Sequence, residues 1–197
     1  MQIVMPSKTS AQPPHALNAT DAELATLACA NKQAFAELYR RHLDRVYRYL
    51  WVRVGNSHDA EDLTAQTFMQ AMQRIHQFRG QGEFAAWLLS IARNKTRDYF
   101  RGRREVTSLD EEDTPNLATT QPALDDVVAE QLQLLQVAVA LRAIAPDRAE
   151  ALMLRIFGEL SMAEVGRVMN KSEAAIKMLV SRALADLRTR LNAQENR

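Results

Sequence analysis

Apolar residues recur at helical spacing along most of this chain. Thr20–Asp21 offers a cap for a short helix over about 22–30. From about Gln33 to Val54, residues Phe35, Leu38, His42, Val46, Tyr49 and Leu50 return at three- and four-residue steps. That stripe predicts one long amphipathic helix, stopped by Gly55-Asn56. Ser57 is placed to cap a third helix, roughly His58–Gln77, with Leu63, Phe68, Met72 and Ile75 turned inward. Two glycines within 78–83 call for a loop. A fourth helix follows from Phe84 to about Arg101, with Phe84, Trp87, Leu88, Ile91 and Ala92 inward. Trp51 and Trp87 both fall on apolar stripes and read as core.

The periodicity then breaks. Thr107–Ala123 carries two prolines, four threonines and an Asp-Glu-Glu-Asp run with few large apolar groups, a composition that reads as flexible linker. A second helical block begins near Asp125, with one helix to about Ala143 and another from Pro146 through Ile156. It ends in LSMAEVGRVMNKSEAAIKMLVSRALADL, Leu160–Leu187. Ser161 and Glu164 have the spacing of a capping box, and Val165 and Val168 give the short helix an apolar face. Asn170 suits a left-handed turn, and Ser172 can cap a second helix with Ile176, Leu179, Val180, Ala183 and Leu187 inward. On the opposite face Lys177 and Arg182 flank Ala174, Met178 and Ser181. Cations for phosphates beside small and apolar groups for base edges are what a major-groove reader needs. An αα-hairpin with a solvated basic face is the plain alternative. The expected fold is all-α: two small helical domains, over 20–104 and 124–192, joined by an acidic linker over 105–123 and preceded by a disordered tail over 1–19.

Composition narrows the class. Only 6 Gly and 6 Pro occur in 197 residues, which suits an almost wholly helical protein. There is no long uncharged apolar run for a membrane span. The first twenty residues lack an apolar core and a cleavage pattern of a signal peptide. A single cysteine, Cys29, excludes an internal disulfide and is expected on an apolar helix face as a small core residue. The four histidines have no metal-site spacing. Net charge is only +1, but it is unevenly placed. Residues 84–104 hold six basic residues against one acidic; 105–130 hold eight acidic and no Lys or Arg; 167–190 hold six basic against two acidic. Basic, acidic, basic is the pattern of two polyanion-binding units joined by a self-repelling segment.

Two constellations carry candidate chemistry. The fourth helix ends ARNKTRDYFRGRR, where cations interleave with Asn94, Tyr99 and Phe100. Backbone charge, stacking and edge recognition together suit a partly unpaired strand, and the glycine loop before the helix could receive an unstacked base. A solvated helix face is the competing reading. The third helix opens His58-Asp59-Ala60-Glu61-Asp62. Its carboxylates suit a helix N-terminus, a docking surface for a basic partner, or, least supported, catalysis with a metal such as Mg²⁺, because no nucleophile or second carboxylate cluster accompanies them.

Taken in order, these segments resemble the extracytoplasmic-function sigma factors of bacterial RNA polymerase. DAEDLTAQTFMQAM (59–72) is similar to region 2.2, FAAWLLSIARNKTRDYFRGRR (84–104) to regions 2.3 and 2.4, and residues 145–188 to region 4. The resemblance implies that Asp59, Glu61, Asp62, Gln66 and Thr67 dock on the β′ clamp helices of core RNA polymerase. It implies that Asn94, Lys95, Arg97, Asp98, Arg101, Arg103 and Arg104 bind a −10 element opened beside loop 78–83. Ser172, Lys177, Met178, Ser181 and Arg182 would read a −35 element while the same domain meets the β flap. The acidic linker would lie in the polymerase channel. The implied partners are core polymerase, promoter DNA and an anti-sigma factor; no cofactor, metal or catalytic residue is implied, and the location is cytoplasmic. Three departures stand out: Gly166 where Ala is frequent, Asn170 where the turn often has Gly, and Ala145 where Leu usually precedes Pro-Asp. A dimeric helix-turn-helix regulator is the rival reading, and the acidic linker fits it poorly.

Overall fold

The structure is a computed structural model that describes residues 19–80, 82–107 and 136–195; residues 1–18 of the expected tail, 108–123 of the expected linker and 124–135, where the helix from Asp125 is expected to begin, lie outside the described residues. Within these residues every regular element is helical. The first half comprises α1 (Asp21–Ala28), α2 (Lys32–Val54), α3 (Ser57–Arg74) with a 3₁₀ turn at Ile75–Gln77, and α4 (Phe84–Thr107). The second comprises α5 (136–142), α6 (Pro146–Ile156), α7 (Met162–Met169) and α8 (Glu173–Glu195). Helix α4 runs six residues past its expected end, into the start of the expected linker.

Local chemistry fixes the helix ends. Thr20 and Glu23 form a full capping box on α1, and Gly55, at φ 80°, closes α2 with its N–H on the Trp51 carbonyl. Asn56, not Ser57, caps α3: its Oδ1 accepts from the Asp59 N–H at 2.8 Å and its Nδ2 donates to the Asp59 carboxylate at 2.7 Å. The amide thus serves backbone and side chain at once, which a serine hydroxyl one residue later does not.

The expected α2 stripe is buried in full, from Phe35 to Leu50. Helix α3 departs from expectation in a way that has one cause. Its inward face is Ala60, Leu63, Thr64, Thr67, Phe68 and Ala71, and both threonines donate to carbonyls one turn back, each at 2.7 Å. A hydroxyl satisfied within its own helix packs like an apolar group. This rotates the buried face away from Met72, about 110° from its centre on an ideal helix. Met72 is therefore half exposed rather than core. Cys29 is also exposed, because it stands at the C-cap of α1 beyond the buried Leu24 and Ala25. Trp51 is buried; Trp87 is only half-buried, its ring tilted against those of Phe78 and Phe84.

The two halves touch. Helix α6 packs on α2, and α7 packs on α4. Glu150 of α6 is buried, accepting from the Tyr49 hydroxyl at 2.7 Å and facing Arg53 at 3.1 Å and Arg93 at 3.5 Å. Arg142 donates to the Val54 carbonyl at 2.5 Å, and Arg45 pairs with Glu159 at 2.7 Å. Gly158 lies against Leu89 so closely that a Cβ would come within 2.9 Å of it.

Candidate nucleic-acid interface

Helix α4 buries Phe84, Leu88, Leu89, Ile91 and Ala92 and turns its C-terminal turns outward. Of the seven candidate residues, Asn94, Arg97, Asp98, Arg101 and Arg103 are exposed, and the first four share one face at 100° per residue. Asp98 and Arg101 pair across that face at 3.2 Å. Lys95, half-buried, lies a quarter turn away. Arg103 is turned to the far side, where its guanidinium stacks on Tyr99 and donates to the Tyr99 hydroxyl at 2.7 Å. Arg104 lies within the helix, with its side chain outside the described residues. The loop before α4 carries two positive-φ glycines, Gly80 at 68° and Gly82 at 92°. These are backbone shapes that side-chain-bearing residues rarely take. Arg93, absent from the candidate set, extends the row of Arg97 and Arg101 by one turn and is engaged by Glu150.

The start of α3 is divided between surface and interior. Glu61, Asp62 and Gln66 are exposed. Asp59 is half-buried and bound inward: Tyr99 donates to it at 2.5 Å, Asn56 at 2.7 Å, and Arg103 stands at 3.8 Å. Burial raises its pKa, but the Tyr99 and Asn56 hydrogen bonds and the Arg103 charge outweigh that and hold it below the ordinary aspartate value. Tyr99 is pushed up in turn, by burial and by that carboxylate. Asp59 thus ties the start of α3 to the basic end of α4. Thr67, expected on the same docking surface, is a correction: it is wholly buried, its hydroxyl satisfied on the Leu63 carbonyl, and no partner reaches it. Sequence reasoning missed what surrounds the exposed three. Glu61 borders a largely apolar groove of about 450 Å³ with Tyr39, Leu43 and Tyr47 of α2, and Met69 is exposed in line with Asp62 and Gln66. The i, i+4, i+7 spacing of Asp62, Gln66 and Met69 was the signal available.

The α7–turn–α8 unit has the geometry its sequence predicts. Glu164 accepts from the Ser161 N–H at 2.6 Å, and Ser161 Oγ accepts from the Glu164 N–H at 3.3 Å. Asn170 adopts the left-handed conformation, φ 54° and ψ 49°. Gly166 is fitted to the turn, because a Cβ there would lie 2.7 Å from the Lys171 carbonyl oxygen. Ile176, Val180 and Ala183 are buried; Lys177, Met178, Ser181 and Arg182 are all exposed, Met178 at 54%. Among the described residues Lys177 is paired only with Glu173, on the surface, at 2.7 Å. Ser172 Oγ accepts from the Ala175 N–H at 3.2 Å, so it caps α8 while remaining exposed. Among the described residues no group of three His, Cys, Asp or Glu could hold a metal ion, and no helix is long and apolar enough to cross a membrane.

Known proteins are similar to this chain along the same segments. The Sigma-70 region 2 family model matches residues 38–106, and the Sigma-70, region 4 model matches residues 134–187. The ECF RNA polymerase sigma factor BldN of Streptomyces coelicolor is 43% identical over 158 residues, 78% of this chain and 59% of that protein. The ECF RNA polymerase sigma factor SigM of Bacillus subtilis is 33% identical over 165 residues, 82% of this chain and 94% of that protein. The match therefore spans about three fifths of BldN and nearly all of SigM. Among solved structures, the sigma factor RpoE of Bartonella quintana, in complex with the anti-sigma factor NepR, superposes with a TM-score of 0.67 at 25% identity, covering 81% of this chain and 98% of that one. Two family segments in order, on this all-helical frame, decide the matter: the chain belongs to the extracytoplasmic-function (ECF) group of sigma-70-family RNA polymerase sigma factors.

Proposed function

We propose that the protein directs core RNA polymerase to a two-part promoter and helps melt it, acting as an initiation factor with no catalytic activity of its own, in the cytoplasm. The observation that carries this reading is the pairing, in one chain, of a region 2 segment and a region 4 segment whose recognition-helix face is free of its own core. Residues 20–104 are read as the polymerase- and −10-binding domain, 124–192 as the −35-binding domain, and the acidic stretch 105–123 as the linker between them. Glu61, Asp62 and Gln66, with the Tyr39–Leu43–Tyr47 groove beside them, would meet the clamp helices. The exposed α4 face of Asn94, Arg97, Asp98 and Arg101, with Lys95 at its edge, would hold the opened strand. Arg103 would act by setting the helix against Asp59. Lys177, Met178, Ser181 and Arg182 would read the −35 element, with Ser172 at its border. Two weak DNA sites on one polymerase scaffold raise overall affinity without new contacts, which suits a net charge of +1. An anti-sigma partner is part of the proposal, as RpoE of Bartonella quintana is held by NepR.

The test is run-off transcription on sheared genomic DNA with purified core polymerase, with and without the protein. Discrete new starts that share two upstream motifs are the expected result. No new starts, together with tight duplex binding by the chain alone, would favour a conventional regulator.

A further inference from the structure

The methionines among the described residues fall into two groups. Met153 and Met169 are core, at 2% and 6% exposed, and Met162 is partly buried against that core. Met69, Met72 and Met178 stand out at 59%, 50% and 54%. Burial is the ordinary use of a methionine, because its flexible, polarisable chain fills irregular gaps. Met178 departs from that use in the middle of the exposed α8 face, with Lys177, Ser181 and Arg182 around it.

Its neighbours leave the sulfur open. A helical side chain leans back over the turn before it, so Met178 lies over Ala174, four residues earlier. Ala174 is exposed and offers only a methyl group, and the exposed Ser181 is small. Arg182, four residues later, leans back in the same way and brings its guanidinium within reach of the Met178 side chain. Lys177 is held by Glu173 at 2.7 Å. The face therefore carries an oxidisable thioether at its centre and an arginine beside it.

Oxidation of a thioether needs a peroxide and no other reactant. A sulfur lone pair forms the S–O bond, the O–O bond breaks, and hydrogen peroxide leaves as water. Sulfur loses two electrons and the peroxide gains them. The product is a sulfoxide, polar and with a strong acceptor oxygen. An apolar contact suited to a thymine methyl becomes a dipole whose negative end faces the DNA. The same oxygen accepts from Arg182 and draws it away from a backbone phosphate. Both changes weaken duplex binding. Neither touches the packing of α8, whose Ile176, Val180 and Ala183 are buried on the other side.

We propose that Met178 is an oxidation site: peroxide converts it to a sulfoxide that switches off upstream promoter reading until a thiol-dependent reductase restores it. This rests on the reading of α8 as the −35-recognition helix.

The test uses the full chain carrying Cys29→Ser, which removes the sole thiol, assembled with core polymerase. The protein is treated with hydrogen peroxide before assembly, and peptide mass spectrometry locates each added oxygen. Fluorescence anisotropy then reads holoenzyme binding to a labelled duplex carrying one promoter found by run-off transcription. Oxygen is expected on Met178 before Met153 and Met169, with binding weakened about tenfold, the scale of one lost base contact. Repair by methionine sulfoxide reductases for both epimers should restore it. Met178→Leu keeps an apolar group that peroxide does not attack, so its treated and untreated forms should differ by less than about twofold. Met178→Gln, polar and of similar length, should bind without treatment as the oxidised parent does. The proposal is overturned if Met178 oxidises no sooner than the core methionines, if its oxidation leaves binding unchanged, or if treated Met178→Leu loses as much binding as the parent. That last result would place the damage elsewhere, with the exposed Met69 of the docking face first in line. Untreated protein that yields no promoter-specific starts removes the sigma reading itself, whereas the order of oxidation is read without DNA.

Discussion

The two helices assigned to DNA are built to different plans. Among the described residues the α8 face owes nothing to the other helices: its cation Lys177 pairs only with a neighbour on the same helix, and its apolar stripe points the other way. The α4 face is shared property. Arg103 is held against Tyr99 and Asp59 of α3, Arg93 against Glu150 of α6, and only Asn94, Arg97, Asp98 and Arg101 project together. A helix that needs only to lie in a groove can be self-contained. A helix that must hold a strand after base pairs part has to be rigidly seated, and its cations are divided between seating and binding.

The largest effect that would break this comparison falls on the self-contained unit. Gly166→Val places atoms where the Lys171 carbonyl already sits, and should cost about 3 kcal/mol, the upper range for overpacking. Thermal unfolding should show the second half destabilised, with promoter binding lost through α8 and not through α4. Next comes Tyr99→Phe, which removes the hydrogen bond to the Asp59 carboxylate and should cost about 1.5 kcal/mol, typical of a bond to a charged group. That cost should shrink in acid. Asp59 has a folded pKa below its ordinary value of 3.8, so the stability it contributes is present above that value and is lost as pH falls towards the folded one. Urea unfolding of both proteins at neutral pH and near pH 3 would read the difference; an equal gap at both would show that Asp59 does not seat α4. Smaller again, and purely a matter of binding, is Lys177→Ala. It should leave the melting temperature unchanged and lower the salt dependence of −35 duplex binding by about one phosphate contact. Arg103→Ala should do the reverse, with stability lost and the salt dependence hardly altered. If the two variants behave alike, the distinction between the helices fails.

How legible each part was in the sequence follows from the range of the interactions. The α7–α8 unit was readable down to its capping box and its left-handed Asn170, because every determinant lies within four residues of its partner. The α2 stripe was readable because large apolar groups alone define it. On α3 the large apolar residues misled: Thr64 and Thr67 satisfy their hydroxyls on their own helix and pass into the core, so Met72 turns out and Thr67 drops from the docking surface. Binary patterning counts threonine as polar and has no way to see that. The roles of Asp59, Arg93 and Arg103 depend on residues 40 or more positions away, and no local period encodes them. The two glycines that admit the second half, Gly158 against Leu89 and Gly82 against Arg167, look in the sequence like ordinary loop residues.

The smallest expected effect tests whether seating extends to α1. His42 is buried in α2 and meets Asp21 of α1 through Nε2 at 2.6 Å, while its Nδ1 is buried without a hydrogen-bond partner. That arrangement assigns the neutral tautomer, with Nε2–H donating to the carboxylate and a bare lone pair on Nδ1. Charging the ring would place a proton on Nδ1 where nothing accepts it. Burial accordingly depresses the pKa of His42; Asp21 opposes this, and Arg45 and Arg41 reinforce it. Between the depressed folded value and the ordinary 6.5 the unfolded chain binds more protons, so the contribution is complete above 6.5 and fades as pH falls below it. The melting temperature of the wild type should therefore decline from about pH 6.5 downward, well above the range in which Asp59 titrates. In His42→Gln that upper decline should flatten while the acid limb remains. A variant that keeps the full slope would mean that the titrating group lies elsewhere, and that α1 is held to α2 by Arg41–Asp21 and its apolar contacts alone.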